Sequence, residues 1–114
     1  MPKQGLNSET TPAAVSAALA QLGAHICLAR QRRGLTQAEL ARKAGVTVLT
    51  LRKVEQGNPT TSIAAYFTTL WALGLEREFA DLASPDRDEE GKALERARAP
   101  VRVRATRRDL DDNF

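Results

Sequence analysis

Apolar residues recur at spacings of three and four over much of the first 83 positions of this chain, the period of helices that bury one face. Val15, Leu19, Leu22 and Ile26 form the first such stripe. It predicts a helix entered at Thr11-Pro12, with Thr as N-cap and Pro at the first helical position, and running to about Arg33. Gly23 interrupts it and costs roughly 1 kcal/mol relative to Ala, so a break there is open. Gly34 ends the helix. Thr36 caps a second helix, and Glu39 three residues on completes a capping box. Leu40, Ala41 and Ala44 are its apolar side and Gly45 closes it. Thr47 caps a third helix with Leu51 and Val54 facing inward, stopped by Gly57-Asn58-Pro59. Ser62 caps a fourth, in which Ile63, Tyr66, Phe67, Leu70 and Leu73 share one face before Gly74. A helical turn through Phe79 and Leu82 precedes Ser84-Pro85.

Outside this region the pattern changes. Residues 1–10 are polar and aperiodic, read as a disordered lead. Residues 86–99 suit a charged helix with Ala93, Leu94 and Ala97 as a thin stripe, weakened by Gly91 and ended by Pro100. Val101-Arg102-Val103-Arg104 alternates apolar and basic, which suits a short strand. The last six residues are acidic and end on Phe114. The expected organisation is a lead over 1–10, an all-α domain over 11–83 and a C-terminal extension over 84–114.

Charge sharpens this picture. The net charge of +3 is unevenly spread. Residues 22–57 hold Arg30, Arg32, Arg33, Arg42, Lys43, Arg52 and Lys53 against Glu39 and Glu55, a net +5. Residues 58–83 carry a net −2, and 84–114 balance eight basic groups against eight acidic ones. A polyanion would meet the 22–57 segment first. One cysteine, Cys27, and one histidine, His25, leave no disulfide framework and no His/Cys metal cluster. No nucleophile–base set or phosphate-cradling glycine loop stands out, so the expectation is a protein that is not an enzyme, with no cofactor and no metal. The absence of a run of ~18 apolar residues and of a basic-then-apolar start predicts neither a transmembrane helix nor a signal peptide. A cytoplasmic protein is expected.

Short helices joined at Gly34 and Gly45 suggest a helix-turn-helix. Ala41 lets two helices approach, Gly45 permits a tight turn, Val46 plugs that turn, and Leu51 and Val54 pin the following helix so that its other face projects outward. Leu22-Gly23, Ile26, Arg30, Gly34-Leu35-Thr36-Gln37, Glu39-Leu40-Ala41, Ala44-Gly45-Val46, Leu51, Val54-Glu55-Gln56-Gly57 and Leu73-Gly74 together resemble the XRE (lambda-repressor-like) family of DNA-binding domains. The resemblance spans Leu22 to about Leu75. It implies a five-helix domain, here with an N-terminal helical extension, a recognition helix at about 47–55, and a dimer on operator DNA.

Position by position, the resemblance makes Gln37 a phosphate ligand at a helix N-terminus, next to Thr36. Thr47 and Thr50 are set to reach phosphates or base edges. Val48, Leu49 and Lys53 match groove-facing positions, with Arg52 beside them. Lys53 suits guanine or phosphate. Val48 and Leu49 depart from the polar residues common there, and either packs on thymine methyls or turns inward. Arg30 and Glu55 match an internal ion pair tying the first helix to the recognition helix. Trp71 lies off the fourth helix's stripe, as a dimer contact or as packing for the N-terminal helix. Val101 and Val103 suit an intermolecular strand, the alternative being a basic arm of Arg102, Arg104, Arg107 and Arg108 on phosphates. Asn58-Pro59, Ile63, Tyr66-Phe67, Leu70, Leu73 and Leu75 further resemble the HipB-type antitoxin branch. Its members repress their own operon and neutralise HipA-type kinase toxins, and a tail ending in Phe114 suits docking on such a partner. A stand-alone XRE-family regulator without a toxin is the alternative.

Overall fold

The computed structural model describes residue 7 and residues 9–98. Its elements are helical: α1 (Ala13–Arg32), α2 (Gln37–Ala44), α3 (Val48–Glu55), α4 (Ile63–Ala72), α5 (Glu76–Ala80), a 3-10 turn (Pro85–Arg87) and α6 (Glu89–Arg98). The all-α expectation holds, and there is no strand among the described residues. The alternating segment at Val101–Arg104 lies outside them. The chain divides into two compact units, Met1–Ala80 and Asp81–Phe114.

In the first unit α3 packs against α1, α2 and α4, and α2 also meets α4. The core between them is made by Ile26 and Ala29 of α1, Leu40 and Ala41 of α2, Leu51 and Val54 of α3, and Ala65, Tyr66 and Leu70 of α4, with Leu73 just after it. Leu40, Leu51 and Val54 are fully buried. Leu51 and Val54 sit three apart on α3, so one side of that helix is fixed and the other is left to solvent.

Two glycines decide how closely α1 and α3 approach. A Cβ on Gly23 would stand 2.5 Å from the Glu55 carbonyl oxygen and 2.7 Å from that of Val54. A Cβ on Gly57 would stand 2.5 Å from the Leu19 carbonyl oxygen. The two backbones therefore meet with nothing between them. The break that Gly23 left open does not occur: α1 runs unbroken for 20 residues, because the glycine serves the helix contact. The helix begins one residue later than the sequence suggests, with Pro12 at the N-cap and no side-chain cap. Thr11 instead turns inward and donates its hydroxyl to the Asn7 carbonyl. By length and composition α1 is apolar enough to span a bilayer, which corrects the expectation that no segment is. Gly23, Ile26 and Ala29 bury its inner side within the unit.

The fourth stripe needs one correction. Tyr66 and Leu70 are buried, but Ile63 is 66% exposed. It is the first residue of α4, and a helical side chain leans toward the N-terminus, so here it points past the helix end. Tyr66 donates its hydroxyl to the Asn58 carbonyl at 2.8 Å, tying α4 to the loop that leaves α3. Phe67 stacks on Phe79 of α5, ring centroids 4.2 Å apart.

In the second unit α6 starts at Glu89 rather than near Asp86, after the 3-10 turn. Asp88 accounts for this start: its carboxylate accepts the Gly91 backbone N–H at 2.9 Å, an N-cap bond that makes Asp88 the boundary.

Candidate nucleic-acid interface

The α2–α3 pair is built from local rules. Thr36 Oγ1 accepts the Glu39 N–H at 3.0 Å, and a Glu39 carboxylate oxygen accepts the Thr36 N–H at 2.8 Å. This is the capping box read from the sequence. The backbone bond holds the Glu39 carboxyl below its ordinary range. Gly45 closes α2 at φ 73°, a left-handed conformation that suits glycine. The next residue, Val46, then bonds back to the Ala41 carbonyl at 3.0 Å and packs on the core. Thr47 starts α3 by accepting the Thr50 N–H at 3.0 Å. The Thr47 hydroxyl donates to Thr50 Oγ1, also at 3.0 Å, so the Thr50 hydroxyl keeps its own proton to donate outward.

Arg30 and Glu55 do form the pair the resemblance implies. Arg30 Nε donates to one Glu55 oxygen at 2.7 Å and a terminal nitrogen to the other at 3.2 Å, a bidentate contact. Their side chains are only 12% and 6% exposed. The other guanidinium nitrogen donates to the Leu35 carbonyl at 2.9 Å, which closes the turn between α1 and α2. Burial pushes the Glu55 carboxyl up, but the hydrogen bonds from Arg30 and Gln37 outweigh it and hold it below its ordinary value. The hydrogen bond to Glu55 in turn raises Arg30. Cys27 is half-buried beside this pair, its sulfur 3.6 Å from Arg30.

Gln37 is more deeply engaged than the sequence suggested. Its Nε2 donates to Glu55 at 3.0 Å, and its Oε1 accepts from Arg52 Nε at 3.4 Å. Both ends of the amide are thus oriented by charges of opposite sign. One amide hydrogen is committed to Glu55 and the second remains. A chain of side chains runs from Arg30 through Glu55 and Gln37 to Arg52, joining α1, α2 and the outer face of α3. Sequence spacing carries no signal for it.

On α3 the remaining positions divide. Arg52 and Lys53 are exposed, Thr47 is exposed and Thr50 half-buried. Val48 is half-buried against the core, so it takes the inward of its two readings. Leu49 is 60% exposed. On α2, Thr36, Arg42 and Lys43 are exposed. The structure therefore gathers Thr36, Gln37, Thr47, Leu49, Thr50, Arg52 and Lys53 on the α2 N-terminus and α3. Trp71 is 58% exposed on α4. Val101, Val103 and Phe114 lie outside the described residues.

A basic, solvent-facing second helix on a tight turn, propped by a buried ion pair, is the geometry of a major-groove reader. Comparison with known proteins agrees. The model of a family described as "Helix-turn-helix domain" matches residues 21–82. An antitoxin HipB from Escherichia coli O6:H1 (strain CFT073) is 36% identical over 72 residues, which is 61% of this chain and 77% of that protein. An antitoxin HipB from Escherichia coli K12 is 35% identical over 72 residues, 61% of this chain and 82% of that protein. The chain belongs to the XRE-like helix-turn-helix family, among the relatives of the HipB antitoxins, and is a DNA-binding regulator of that kind.

Proposed function

We propose that the protein is the antitoxin of a HipA-type kinase, a dimeric repressor that binds the operator of its own operon through α3 and neutralises the toxin by direct contact. What carries the reading is the exposed Arg52–Lys53 face of α3 in a chain that matches most of the length of two HipB antitoxins. Lys53 and Arg52 contact guanine or phosphate. Thr50 offers its hydroxyl proton to the DNA backbone, with Thr47 orienting that hydroxyl, and the second amide hydrogen of Gln37 reaches a phosphate at the α2 N-terminus beside Thr36. Arg30 and Glu55 hold α3 in place rather than touch DNA. Trp71 serves the dimer interface, and residues 100–114, with Val101, Val103 and Phe114, serve dimer or toxin. Such a protein works in the bacterial cytoplasm.

The test pairs two binding measurements. The kinase encoded beside this gene is titrated with the full chain and with a chain lacking residues 100–114, and both are titrated with the promoter DNA upstream. Loss of kinase binding on truncation with promoter binding retained supports the reading. A neighbourhood with no kinase gene, and promoter binding intact, leaves a repressor without a toxin. A truncated chain that still neutralises the kinase removes the role assigned to the tail.

A further inference from the structure

We infer that Leu49 reads thymine: its side chain packs on the 5-methyl group of a thymine in the major groove, so the preferred DNA site has a thymine fixed by that one apolar contact. This rests on the reading that α3 enters the groove. Leu49 is the second residue of α3, and in groove-reading helices the N-terminal residues meet base edges. Its neighbours in the first turn are otherwise occupied. Val48 leans on the core, and the half-buried Thr50, whose hydroxyl accepts from Thr47, keeps its own proton for a phosphate. Leu49 is left 60% exposed.

What lies around it identifies the occupant. One turn on along the same helix stand Arg52 and Lys53, three and four residues away and both exposed, the spacing of side chains that share a face. The apolar group is therefore set among cations. An ordinary apolar protein surface is a poor match, because covering Leu49 would take those charges out of water. The partner that fits is strongly anionic yet carries isolated apolar points. Duplex DNA has that character: phosphates line the groove, and thymine places a methyl on its floor. Leucine has no donor or acceptor, so it cannot distinguish bases by hydrogen bonds and discriminates only through that methyl.

The experiment uses the full-length protein. A randomised duplex library is selected at low salt, and the enriched sites are then remade with deoxyuridine at each fixed thymine in turn. Uracil pairs identically and lacks only the methyl. Removing the methyl at the Leu49 position should weaken binding about fourfold in each half-site, the effect of losing one buried methyl-sized group. Leu49→Ala should bind the thymine and uracil duplexes equally, while changes at Arg52 and Lys53 should leave the thymine-to-uracil ratio intact. A uracil duplex bound as tightly as thymine at every fixed position overturns the assignment, as does a Leu49→Ala protein that keeps the fourfold preference. Failure to enrich or bind any duplex overturns the DNA-binding reading as well, and is distinguishable from either result.

Discussion

Replacing Gly23 by alanine sets two physical effects against each other. In a helix interior alanine is better than glycine by about 1 kcal/mol, so helix propensity alone predicts a more stable protein. The structure predicts the reverse. The new methyl would lie 2.5 Å from the Glu55 carbonyl oxygen, 2.7 Å from the Val54 carbonyl oxygen and 2.8 Å from the Glu55 carbonyl carbon. Those are backbone atoms of α3, not the end of a flexible side chain, and normal contact needs roughly 1 Å more. Moving them means sliding α1 against α3 and disturbing Leu51 and Val54, which are fully buried. Overpacking of this kind costs about 1–3 kcal/mol. Because it strikes main chain at three atoms, the upper half of that range applies, and after the propensity gain the expected net loss is about 1–2 kcal/mol. For a domain of this size that is a fall in Tm of roughly 4–16 °C. Thermal and urea unfolding followed by circular dichroism measure it, with Ala24→Gly as the control. Ala24 is exposed on the same helix, so that change should cost only the propensity term, about 1 kcal/mol. A Gly23→Ala protein more stable than the parent would refute the close α1–α3 contact.

Other consequences follow from the ion pair and the caps. The Glu55 carboxyl titrates below its ordinary 4.5 in the folded protein, so the unfolded chain takes up its proton first as pH falls. The stability it contributes is present above about pH 4.5 and is lost as pH drops through the folded value. Urea midpoints measured from pH 7 to pH 3 should show this acid limb, and Glu55→Gln should flatten it. Arg30→Met leaves the carboxylate of Glu55 buried without its partner and should cost about 3–5 kcal/mol at pH 7, read from the same urea curves. Thr36→Ala removes one half of the capping box and should lower stability by about 0.5–2 kcal/mol, visible as a drop in the urea midpoint with an unchanged slope.

What the sequence conveyed was chiefly local. The Thr36–Glu39 box, the Thr47 and Ser62 caps and the turn at Gly45 depend on residues within four positions of one another, and their side-chain types specify the bonds they make. The Arg30–Glu55 pair, 25 residues apart, was reached only through the family resemblance. Long-range features escaped. Gly23 reads as a weakness until the α3 backbone is seen lying against it. Gln37 reads as a free amide at a helix end, although two charges from α3 hold it. Tyr66 fits the apolar stripe, but nothing in its spacing announces the bond to Asn58. Ile63 fits the stripe equally well and is exposed, because periodicity does not record that the first turn has no preceding turn to lie on. For the interface, the cations were legible from charge counting. Which of Val48 and Leu49 turns inward was not, since both are apolar neighbours on one short helix and only the packing of α3 decides.

In the proposed function the outer face of α3 grips duplex DNA. It is tested most directly by the salt dependence of binding. Affinity for a duplex is measured across a range of salt concentrations for the parent and for Arg52→Ala/Lys53→Ala, with circular dichroism confirming an unchanged fold. Each phosphate contact contributes about 0.9 to the slope of log affinity against log salt. The double variant should therefore bind more weakly at low salt and lose up to about 2 from the slope. An unchanged affinity and an unchanged slope would place the DNA elsewhere on the protein.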